Sequence, residues 1–87
     1  MIRDERLIQA ILERVSATEP GTFEALRMVE EGFDQAKLMQ HIDHLIATGY
    51  IDGRMRAPTQ YGGRFQTAEV TGLTPQGRAL LHRMTGE

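Results

Sequence analysis

The run from Asp34 to Thr74 constrains this chain more than any other part of it. Between Asp34 and Thr48, Leu38, Ile42, Leu45 and Ile46 fall on one face at about 100° per residue. Asp34 supplies a capping oxygen at the start, and Gly49 stands at the end, where left-handed backbone is favoured. Tyr50 to Arg56 reads as a strand in which Tyr50 or Ile51 enters the core. Pro58, Gly62 and Gly63 mark a turn-rich loop, and Phe65 to Thr71 reads as the returning strand. Thr74 then caps a last helix with Pro75 in its first position, where a missing N–H costs nothing. A helix, an antiparallel hairpin and a closing helix place the chain in the α+β class.

The rest of the chain adds a helical partner. Asp4 caps a predicted helix to about Ala17, with Leu7, Ile8, Ile11, Leu12 and Val15 in one apolar stripe and Arg6, Gln9, Glu13 and Arg14 toward water. Thr18-Glu19-Pro20-Gly21 stops it. Residues 22–32 support two readings. Thr22 can cap a short helix carrying Phe23, Leu26 and Val29, or Leu26 and Met28 can alternate in a short edge strand. Good helix formers from Glu24 to Met28 favour the helix. Ala79, Leu80, Leu81 and Met84 are expected to close the core, and Gly86-Glu87 to fray. The whole of 1–87 is expected to be one domain of three to four helices with a two- or three-stranded antiparallel sheet, because 87 residues suffice for one small core and not two.

This order of elements is that of a winged helix-turn-helix. The run His41-Ile42-Asp43-His44-Leu45-Ile46-Ala47-Thr48-Gly49-Tyr50-Ile51 resembles a recognition helix entering the first wing strand. Leu73-Thr74-Pro75-Gln76-Gly77-Arg78-Ala79-Leu80-Leu81 resembles the L-T-x-x-G-x-x-L-L ending of the MarR-, PadR- and ArsR-like repressors. Over nearly its whole length the chain is similar to a family of small phage and bacterial winged-helix proteins without assigned activity. Arg3-Asp4-Glu5-Arg6-Leu7-Ile8 matches that family's R-D-x-x-L-I start, and Glu31-Gly32-Phe33 with His41-Ile42-Asp43-His44-Leu45 matches its middle. The family usually carries a tryptophan and an acid where this chain has Pro75 and Gln76. The resemblance implies a small transcriptional regulator of phage or prophage type.

On that fold the exposed side of helix 34–48 enters a major groove, where Gln reads adenine edges and Lys reads guanine or phosphate. Gln35, Lys37, Gln40 and His44 are the candidates there. The wing, 54–68, brings Arg54, Arg56 and Arg64 to phosphates or a narrow minor groove. Charge is divided accordingly. Residues 1–53 hold five Lys/Arg against ten Asp/Glu, whereas 54–87 hold five Arg against two Glu. Asp34 and Asp43 work against DNA, since each repels phosphate, and few cations remain for one copy. A homodimer paired through the terminal helices doubles the set. Tyr50, Tyr61 and Phe65 are the aromatics near the loop; Tyr50 and Phe65 are expected to pack the hairpin. The competing class is a protein-interaction module on the same scaffold, which the acidic first half favours.

Other chemistries find little support. Ser16 is the only serine, no carboxylate pair stands at a telling spacing, and no enzyme is expected. Gly62-Gly63 lacks the longer pattern of a phosphate loop. His41 and His44 lack the further clustered ligands that zinc requires, so no metal, cofactor or small-molecule ligand is expected. Arg3, Asp4, Glu5 and Arg6 stand where a signal peptide needs apolar residues, no run is long enough to span a membrane, and there is no Cys. A cytoplasmic protein is the expectation.

Overall fold

The computed structural model describes residues 4–56 and 67–86. Helix α1 spans Glu5–Thr18. Asp4 caps it by accepting from the Leu7 N–H at 3.1 Å, and Leu7, Ile8, Ile11, Leu12 and Val15 are all buried. The stripe and the cap agree, so the helix is specified twice over, by a local bond and by its packed face.

Strand β1, Phe23–Glu24, comes next, then helix α2, Leu26–Glu30. Here the expected helix from Thr22 is corrected. Phe23 pairs with Val70 and Glu24 with Glu69, and the Ala25 N–H donates to the Ala68 carbonyl at 3.1 Å. Cross-strand bonds to a distant segment override the helix preference of the first few residues, which is ordinary for short segments. Thr22 caps nothing; the helix begins after Ala25 without a side-chain cap. Within α2, Met28 is buried and Val29 half-buried, but Leu26, expected on the inner face, is 40% exposed.

A turn through Glu31–Asp34 leads to α3, Gln35–Ala47. Gly32 takes a φ of 104° there, and the Phe33 N–H returns to the Met28 carbonyl at 3.1 Å. Asp34 caps α3 through the Lys37 N–H at 2.9 Å. The inner face holds Leu38, Ile42 and Leu45 as expected, with Ile46 half-buried. It also takes in Met39 and His41, which widens the apolar side beyond the expected stripe. Gly49 adopts φ 84°, and the Tyr50 N–H reaches back to the Leu45 carbonyl at 2.9 Å. This closes the helix and turns the chain into the sheet.

Strands β2, Ile51–Arg56, and β3, Thr67–Leu73, complete a three-stranded antiparallel sheet in the order β1-β3-β2. β3 runs two residues beyond the expected Thr71. Its register against β2 slips by one residue between Asp52 and Gly53, because Asp52 faces Gly72 while Gly53 faces Val70. The bulge brings Gly53 so near the Glu69 carbonyl that a Cβ there would lie 2.4 Å from it. Ile51, Ala68, Val70 and Leu73 are buried beneath α1 and α3.

Helix α4, Pro75–Thr85, starts where expected, with the Thr74 hydroxyl accepting from the Gly77 N–H at 3.0 Å. Thr74 also ties the two ends of the hairpin together. Its hydroxyl donates to the Gly49 carbonyl at 2.5 Å and its N–H to the Tyr50 carbonyl at 3.1 Å. Leu80, Leu81 and Met84 are only half-buried against the core, and Ala79, expected inside, is exposed. The single fully buried position of α4 is Gly77. Gly86 caps the helix at φ 75°. Ion pairs of Arg14 with Glu31 and of Glu19 with Arg78 link α1's surroundings to the remainder. Glu19 also accepts from the Leu73 N–H at 3.0 Å, which holds the end of α1 to the end of β3.

Candidate nucleic-acid interface

α3 is amphipathic, so packing its apolar side inward forces the other side out. Ala36, Lys37, Gln40, Asp43 and Ala47 are exposed, while Gln35 and His44 are half-buried. Of the four residues expected on the reading face, Lys37 and Gln40 are therefore exposed and Gln35 and His44 half-buried. The two exposed alanines leave room for close approach along the same face.

The hairpin joins this helix directly through Gly49 and Tyr50, and α3 and β2 are in contact. Arg54 projects from β2 with 78% of its side chain exposed. The register places Arg54 and Glu24 on either side of Glu69 in adjacent strands, and the Arg54 guanidinium lies 4.0 Å from the Glu69 carboxylate. Arg56 is the last residue of β2. Arg64, like Pro58, Tyr61, Gly62, Gly63 and Phe65, lies outside the described residues.

The electrostatics of α3 differ from what its sequence implies. Lys37, the candidate cation of the reading face, has its ammonium 2.7 Å from the Asp4 carboxylate. That ammonium, followed by the Leu7 N–H, holds the Asp4 carboxyl below its usual value. Asp4 is tied to α3 a second time, since its own N–H lies 3.1 Å from His41 Nε2. A backbone N–H can only donate, so Nε2 accepts and the ring proton sits on Nδ1, 2.7 Å from the Lys37 carbonyl. His41 is 1% exposed and both its nitrogens are engaged. It is thus a satisfied core residue.

What sequence reasoning missed is the burial of His41 and the contact of Asp4 with Lys37. For His41 a signal existed: four residues before Leu45, it lies only about 40° from it around the helix. For the Asp4–Lys37 pair there was none, because its partners belong to different helices and meet only in the folded chain.

Among the described residues, no group of three or more His, Cys, Asp or Glu is placed to hold a metal ion. Nor is any described helix long and apolar enough to cross a membrane. No protein-family model, curated protein or solved structure matches the chain.

Proposed function

We propose that this protein is a winged helix-turn-helix protein that binds double-stranded DNA, a small regulator of phage or prophage type. The observation that carries the reading is the outward polar stripe of α3, handed through Gly49 into a hairpin with an exposed Arg54. Two further features support it. α2 and α3 are joined by the short turn Glu31–Asp34, the spacing of a helix-turn-helix pair. The strand order β1-β3-β2 makes β2 and β3 a hairpin that extends from the end of α3. In this reading Gln35, Gln40 and His44 approach base edges, Lys37 reaches a phosphate or a guanine beside it, and Arg54, Arg56 and Arg64 lie on phosphates or in a narrow minor groove.

Four cations per copy give little affinity at physiological salt, so a homodimer belongs to the proposal. α1 spends its apolar stripe inside the core, so pairing through the terminal helices rests on the half-buried Leu80, Leu81 and Met84 of α4. The test is an anisotropy titration of mixed-sequence duplex at two salt concentrations, repeated with Arg54, Arg56 and Arg64 all changed to Ala. Affinity falls as salt rises, two chains bind per site, and each arginine lost from a phosphate flattens the log–log slope by about 0.9.

The second reading is a protein-interaction module. The Asp4 carboxylate on Lys37 and the acid at Asp43 favour it, since both weaken the attraction of α3 for phosphate. Absence of duplex binding even at low salt puts this reading first.

A further inference from the structure

Lys37 is the chain's only lysine, and in the free protein its ammonium is already engaged. The Asp4 carboxylate that engages it is not free to swing away. One oxygen caps α1 through the Leu7 N–H, while the other is 2.7 Å from Lys37 Nζ. The Asp4 backbone is held by His41 Nε2, and the His41 ring is in turn braced on the Lys37 carbonyl, one turn back along α3. The carboxylate, the ring and the lysine therefore form one closed circuit between the start of α1 and the first two turns of α3.

We propose that Asp4 is a latch on Lys37, an autoinhibitory contact that DNA must open before the lysine can reach a phosphate. The inference rests on the DNA-binding reading and adds a regulatory residue to that same surface. The geometry suits a latch that opens. The Lys37 side chain is 51% exposed and that of Asp4 31%, so a phosphate oxygen can approach the ammonium from the solvent side. An ion pair this exposed is weak and is screened by salt, so a phosphate competes with it on nearly equal terms. A fully buried pair would remove Lys37 from the interface altogether.

The test uses Asp4→Asn, because Asn caps a helix as well as Asp and removes only the charge. Asp4→Ser, another good cap, serves as an independent second variant. Glu5→Gln makes the same change in net charge one residue along the helix, where no contact with Lys37 exists to be broken. Mixed-sequence duplex is titrated at two salt concentrations with each protein, after circular dichroism has shown that the helices are retained. Both Asp4 variants bind up to about five-fold more tightly than wild type at low salt, the range of an exposed ion pair. Their salt slope steepens by up to about 0.9, one additional phosphate contact. Glu5→Gln gives less than half the gain, and the gain disappears when Lys37→Ala is added to Asp4→Asn.

Wild-type binding with no gain from Asp4→Asn and Asp4→Ser overturns the latch and leaves the DNA reading standing. So does an equal gain from Glu5→Gln, or a gain that survives Lys37→Ala, since either shows a general effect of charge. Failure of every variant to bind at low salt overturns the DNA reading and the latch with it.

Discussion

Replacing Gly77 by Ala separates local preference from tertiary constraint, because the two predict opposite signs. Gly77 lies in the first turn of α4 with no special backbone angle, so helix propensity alone favours Ala by about 1 kcal/mol. The structure says otherwise. A methyl group at this position would sit 1.9 Å from the Tyr50 carbonyl oxygen and 2.9 Å from its carbon. Relieving that contact requires about 1.5 Å of movement between the start of α4 and the start of β2. Neither side can rotate away, since the obstacle is backbone. The same junction holds Thr74 N–H on Tyr50 O and the Thr74 hydroxyl on Gly49 O, so the movement also stretches two hydrogen bonds. Overpacking of this kind costs about 1–3 kcal/mol and each lost bond about 1 kcal/mol. Set against the propensity gain, the net loss is about 3 kcal/mol. For a domain of this size that lowers the melting temperature by roughly 12–24 °C. Thermal unfolding followed by circular dichroism gives the number directly. A variant that melts at or above the wild-type temperature refutes the close approach of α4 to Tyr50.

Two other outcomes follow from the same structure. Removing His41 as His41→Ala leaves a cavity and deprives the Asp4 N–H of its acceptor, at a cost of about 2–4 kcal/mol in urea unfolding; a loss under about 0.5 kcal/mol contradicts its burial. The carboxyls of Asp4, Glu19 and Glu31 are held below their usual values, chiefly by Lys37, by the Leu73 N–H with Arg78, and by Arg14 respectively. Depressed carboxyls stabilise the fold above their unfolded values and lose that contribution as protonation proceeds, so the urea midpoint is level near neutrality and falls below about pH 4.5. A midpoint that stays level down to pH 3 shows that the three pairs contribute nothing.

The legible parts of the fold were those that depend on residues close in sequence. Asp4, Asp34 and Thr74 each cap a helix through the N–H three residues on, a contact that is decided within one turn. The α1 stripe from Leu7 to Val15 and the left-handed Gly49 were legible for the same reason. Of the candidate interface, the outward placement of Lys37 and Gln40 followed from helical periodicity, whereas that of Arg54 did not, because the sequence left open whether Tyr50 or Ile51 turns inward. The short strand Phe23–Glu24 did not, because its hydrogen-bonding partners are in β3. The exposure of Leu26 and Ala79 also went unforeseen, as a periodic pattern shows which residues are apolar without showing how wide a surface awaits them.

By itself, then, the sequence determined where α1, α3 and α4 begin, which face of α1 is buried, and that a hairpin follows the strongest helix, since capping oxygens and apolar spacing act over three or four residues. Tertiary structure alone decided that Phe23 joins a sheet, that Gly77 must lack a side chain, and that Lys37 meets a carboxylate instead of standing free. Those three outcomes require segments far apart in the chain to arrive within a few ångströms of one another, and no local interaction encodes that distance.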